Sequence, residues 1–76
     1  MAIPKEANPQ DVVSSNLKRV GYVEKSKTLF VEFTDGAIYK YDKVPKEKHI
    51  ALMAAGSIGK FFTAEIRSKY QFEKVT

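Results

Sequence analysis

Cysteine is absent from this chain, histidine occurs once, and there is no long apolar run. Without cysteine there is no disulfide framework and no thiolate metal site. That fits a reducing compartment, so a cytoplasmic location is expected. His49 is the single imidazole and the carboxylates are scattered singly, so no metal or cofactor is expected. No stretch approaches the roughly 20 apolar residues that span a bilayer, and the N-terminus lacks the apolar segment of a signal peptide. A membrane is therefore not among the expected partners. Ser14, Ser15, Ser26, Ser57 and Ser68 lie in no nucleophile elbow, and His49 has no evident acid to orient it. With no acid–base–nucleophile constellation, the expectation is a non-enzymatic protein.

What is present is one domain's worth of chain, 76 residues that are 43% hydrophobic and 29% charged. A core of that size is marginal and every buried side chain counts. The net charge of +4 is unevenly spread: residues 1–13 carry −1, residues 14–42 carry +1 and residues 43–76 carry +4. A basic C-terminal half points to nucleic acid or another polyanion; an ordinary solubility charge is the alternative.

Residues 1–13 hold two prolines and show no periodicity, which reads as a flexible N-terminal arm before a single domain at residues 14–76. Strands are predicted near 17–23, 28–33 and 37–42. The hairpin around Asp35-Gly36 has two available registers. A two-residue turn would split the apolar set between both faces. A three-residue loop, Thr34-Asp35-Gly36, pairs Phe33 with Ala37, Val31 with Tyr39 and Leu29 with Tyr41, and puts all six on one face. A one-residue slip flips every side chain, so the pattern selects the second register, with Gly36 left-handed. By the same logic Tyr22 lies opposite Leu29 and Val20 opposite Val31. The other face carries Arg19, Phe30, Glu32, Ile38 and Lys40.

Val44-Pro45 ends the third strand and starts a helix. That helix runs to about Ala55, with His49, Leu52 and Met53 toward the sheet and Gly56 as its stop. Ser57 caps a second helix over about 58–69. In it Phe62, Ile66 and Tyr70 form the buried stripe, and Lys60, Thr63 and Arg67 form a polar one. Gln71–Val75 either returns as a short fourth strand or frays. The predicted fold is α+β: a three-stranded antiparallel β-meander packed against two helices on one face.

Gly56-Ser57-Ile58-Gly59-Lys60 fails the phosphate-loop pattern, which needs four residues between its glycines and Ser or Thr after Lys. It sits instead where a KH domain has the Gly-x-x-Gly loop that clamps nucleic-acid backbone. The plainer reading is a helix corner with Gly59 allowing close packing. Tyr39 and Tyr41 point the same way, as stacking residues do on single-strand-binding sheets, but the register places them under the helices.

Taken together, SSNLKRVGY, LFVEFTDGAIYKY, Val44-Pro45 and HIALMAAGSIGKFFTAEIRSKY resemble the KTSC domain, the family named after the C-terminal region of some lysyl-tRNA synthetases. Its Tyr-x-Tyr matches Tyr39-Lys40-Tyr41, and its later positions match Ala55, Ser57, Gly59, Phe62, Ile66 and Tyr70. His49 stands where tyrosine is expected, and Thr63 where asparagine is. The resemblance implies a small binding domain with a suggested link to RNA. With the basic C-terminal half and the helix corner at Ser57, the candidate nucleic-acid-binding residues are Lys40, Lys43, Ser57, Gly59, Lys60, Thr63 and Arg67. The alternative is a protein-interaction module or small inhibitor, docking through an outer-face patch at Phe30 and Ile38.

Overall fold

The hairpin takes the register that the apolar pattern selects. In the computed structural model, which describes residues 3–75, the Phe33 N–H donates to the Ala37 carbonyl at 2.8 Å. Leu29 lies opposite Tyr41, and Val31 opposite Tyr39. Gly36 has φ of 95°, a conformation open to glycine at no steric cost. The Asp35 carboxylate accepts the Ala37 N–H at 3.0 Å and holds the turn shut.

Five strands are present among the described residues: β1 (Gln10–Asp11), β2 (Leu17–Val23), β3 (Thr28–Phe33), β4 (Ile38–Tyr41) and β5 (Phe72–Lys74). They form one antiparallel sheet in the order β1-β2-β3-β4-β5. Helices α1 (Lys46–Ala54) and α2 (Ile58–Glu65) form the connection from β4 to β5. The fold class is α+β as read from the sequence, but a three-stranded meander undercounts the sheet. Gln71–Val75 does return, as β5, and the strand at the opposite edge comes from the segment read as an arm.

Tyr22 faces Leu29 and Val20 faces Val31, as parity requires. The register then shifts between Arg19 and Leu17. Strict alternation back from Val20 would put Lys18 in the core and Leu17 outside. The irregularity inserts one residue, which leaves Lys18 exposed and Leu17 buried. The main core comprises Leu17, Val20, Leu29, Val31, Tyr41, Val44, Leu52, Phe62 and Ile66, with Tyr22, Phe33, Tyr39 and Tyr70 packed against it.

The helices depart from expectation at their ends. Pro45 precedes α1 in extended backbone and so serves as its cap residue. The helix stops at Ala54 with Ala55 extended, and Gly56 does not take a left-handed conformation. Ser57 caps α2 as predicted, its hydroxyl accepting the Lys60 N–H at 3.4 Å. That helix ends at Glu65, four residues early. The Arg67 N–H donates to Phe62, five residues back, and the Lys69 N–H to Ile66, three back, so the chain leaves the α-helical pattern in a series of turns. Ile66 and Tyr70 still reach the core.

Residues 3–13 differ most from their sequence reading. Lys5–Ala7 form a 3-10 turn and Gln10–Asp11 pair with β2. Ile3 and Ala7 are buried with Ile38 in a second cluster on the outer face of the sheet, against Phe30, Val23 and Val75. Gly21 makes room for them. A Cβ there would lie 2.9 Å from the Ile3 Cγ2 and 3.1 Å from the Ala7 carbonyl oxygen.

Candidate functional site

The second helix begins against the chain that enters β2. The Ser14 hydroxyl donates to the Asn16 Oδ1 at 3.0 Å, and this pair lies directly over Gly59. A Cβ on Gly59 would lie 2.8 Å from that Oδ1. The glycine therefore serves close packing at the corner. The Asn16 carbonyl accepts the Thr34 N–H at 3.0 Å, which fixes the corner at the hairpin end of the sheet.

Two adjoining open depressions share Asn16 and Thr63 and together make a trough along α2. The first, about 520 Å³, is lined by Val13–Asn16, by Gly56 and Ser57 ahead of α2, and by Ile58 to Lys60, Thr63 and Ala64 on it. The second, about 770 Å³, lies over the uncovered end of the inner sheet face, between Arg67 and Ser68 on one side and Tyr39 and Phe72 on the other. Both volumes lie within the roughly 300–1,000 Å³ usual for ligand pockets.

Of the candidate residues, Ser57, Gly59, Lys60, Thr63 and Arg67 all line this trough. Lys60 and Arg67 are exposed, and neither forms an ion pair among the described residues. The Thr63 hydroxyl donates to the Gly59 carbonyl at 2.9 Å, a bond within its own helix.

Lys40 and Lys43 are not brought to it. Lys40 points to the outer sheet face, where it pairs with Glu73 across the strands at 3.6 Å. Lys43 sits in a left-handed turn, φ 56°, at the end of the sheet away from the hairpin. The bond from the Val44 N–H to the Lys27 carbonyl ties it there.

The outer-face patch offered for a protein partner is largely covered by the chain itself. Ile38 is buried under Ile3 and Ala7, and Phe30 is half-buried beside them. The main feature that sequence reading missed is Phe72, 57% exposed at the mouth of the trough. Its ring lies 5.8 Å from Tyr39 and 5.7 Å from Tyr41. A strand assignment for Gln71–Val75 paired with β4 would have found it.

Ionisation around the helices follows burial and pairing. Burial raises the Tyr41 phenol, with Arg67 acting against the shift. A hydrogen bond from Lys48 holds the Glu65 carboxyl below its usual range, and Lys69 reinforces it. That bond, at 3.2 Å, ties α1 to α2. Among the described residues no cluster of three or more His, Asp or Glu side chains could hold a metal, and no helix is long and apolar enough to cross a membrane.

Residues 13–70 match the KTSC domain family. The chain belongs to that family. A crystal structure of a KTSC domain protein from Yersinia pestis is similar throughout, with a TM-score of 0.87 and 32% identity over 90% of this chain and 96% of that one. An uncharacterized protein of Stutzerimonas stutzeri is 39% identical over 75% of this chain and 80% of its own length. A lysine–tRNA ligase of Nostoc punctiforme is 32% identical across all of this chain, which spans only 15% of the ligase. The KTSC domain is thus found both in small proteins and within some much longer ligases. In this KTSC domain His49, at the position expected to hold tyrosine, keeps an aromatic contact by stacking on Tyr22, with centroids 4.7 Å apart and planes 11° from parallel.

Proposed function

We propose that this KTSC domain is a non-enzymatic binding module whose trough along α2 receives nucleic acid, RNA in the first instance. The observation that carries the reading is the pair of cations Lys60 and Arg67, unpaired and exposed along one open trough. The other cations on and just after the two helices are engaged: Lys48 and Lys69 with Glu65, and Lys46 with Glu24. The kinship with proteins named lysine–tRNA ligase supports the reading, because those proteins act on an RNA.

Phosphate binding would release counterions, so affinity must fall steeply with salt. The test is binding of a short RNA by wild type and by Lys60→Ala/Arg67→Ala across a salt series. The double variant is expected to bind more weakly, with the slope of log K against log salt reduced by roughly one to two units. Its melting temperature should barely move, since exposed charges contribute little to stability. Absence of binding to RNA or DNA at low salt would defeat the proposal and favour a protein partner.

A further inference from the structure

We infer that the trough takes single-stranded rather than duplex nucleic acid, seating one unpaired base against Phe72 and Tyr39 with a neighbouring phosphate on Arg67. The inference rests on the nucleic-acid reading above and specifies its ligand.

Phe72 is the aromatic residue among the large hydrophobic side chains left exposed. It lies on β5 opposite Tyr41, on the sheet face that lines the second open depression. The surface beneath is preformed. Tyr39 meets Phe33 edge to face at 5.6 Å, and Tyr41 and Phe33 each meet the buried Phe62 the same way, at 5.4 and 5.7 Å. A base laid on this shelf would meet a Tyr39 ring already held against Phe33, so little side-chain entropy would be lost there on binding.

Around the rings stand groups suited to a nucleotide. Arg67 offers an unpaired guanidinium, Ser68 a hydroxyl, and Asn16 an amide. The Asp35 Oδ1 is engaged by the Ala37 N–H, which leaves its second carboxylate oxygen as an acceptor for a base edge. Lys60 lines the first depression and Arg67 the second, and the two adjoin at Asn16 and Thr63, so a strand lying along the trough can contact both. A duplex would bring the same phosphates but keep its base faces inside the stack, where Phe72 and Tyr39 cannot reach them.

The test compares a fluorescent RNA octamer with the blunt duplex of the same sequence by anisotropy, using wild type, Phe72→Ala and Phe72→Trp. Wild type should bind the single strand at least about tenfold more tightly. Phe72→Ala should weaken single-strand binding by about fivefold to a hundredfold, the range of one lost base–aromatic stack, and leave any duplex binding unchanged. Phe72→Trp should restore affinity. Because Phe72 is largely exposed, both variants should fold, and their melting curves check this. Equal affinity for duplex and single strand would overturn the inference while the nucleic-acid reading stood. A single-strand preference indifferent to Phe72→Ala would overturn the base position. No binding to either at low salt would remove the inference together with the reading beneath it.

Discussion

His49 lies flat on Tyr22 between α1 and the sheet, and the Tyr22 hydroxyl donates to the Val44 carbonyl just before that helix. Burial makes the imidazolium costly, so the His49 pKa is lowered in the fold. The unfolded chain then binds the proton more readily than the folded one, and stability rises with pH across that interval. The contribution is complete above the ordinary histidine range and is lost as pH falls through about 6.5 toward the lowered value. Wild type should therefore melt lower at about pH 5.5 than at about pH 7.5, a window above the carboxylate range. His49→Tyr keeps a stacking ring without the charge and should flatten this difference. An unchanged pH profile in that variant would show that another group is responsible. At this scale much was legible beforehand. Gly36 and Ser57 take their expected local roles, since a left-handed turn and a helix cap each depend on a few neighbouring residues. Gly59 has the plainer of its two readings, close packing at the corner. The stack itself was not legible, because its partners are distant in sequence.

Among the elements, the segment before β2 separates local from tertiary information. Its prolines and lack of period are real, yet Ile3 and Ala7 are buried because Gly21, on a neighbouring strand, leaves a shallow seat over the outer face. The φ of Gly21 is not positive, so a side chain there would be opposed by contact alone. Gly21→Ala should destabilise the domain by about 1–3 kcal/mol through overpacking. It should also loosen the turn in which the Ala7 and Asn8 N–H groups donate to Pro4 and Lys5. Amide exchange would show this as faster exchange at Ala7 and Asn8. Wild-type stability and protection would mean that the seat tolerates a methyl group. The same covering explains why Phe30 and Ile38, apparent surface residues by strand parity, do not form an open patch. Parity assigns a face but cannot tell what lies over it.

At the scale of the whole molecule, Phe62 joins the two layers. It projects from α2 onto Phe33 and Tyr41 and is 1% exposed. A 76-residue domain has roughly 4–11 kcal/mol of stability at the usual value per residue, and Phe62→Ala should remove about 3–5 kcal/mol. Denaturant unfolding should show a midpoint lowered by a large part of its value. A loss below about 1 kcal/mol would mean that the layers do not depend on this contact. Phe72→Ala should cost far less, because more than half of that residue's surface is in solvent. The two phenylalanines are opposite in circumstance. Helical period already placed Phe62 in the buried stripe, whereas the exposure of Phe72 at the trough came only with the fold.

The sequence by itself determined the α+β class, the β2–β3–β4 registers, the turn at Gly36, the cap at Ser57 and the buried stripe of Phe62 and Ile66. Each follows from alternation, helical period or the chemistry of a few adjacent residues. Only the tertiary structure decided that Lys60 and Arg67 share a trough while Lys40 and Lys43 lie elsewhere. It alone decided that Leu17 enters the core through an irregularity at Lys18, that Ile3 and Ala7 cover the outer face, and that Phe72 stands beside Tyr39. These depend on where the chain returns after α2 and on how closely separate segments approach, and no local pattern encodes those distances.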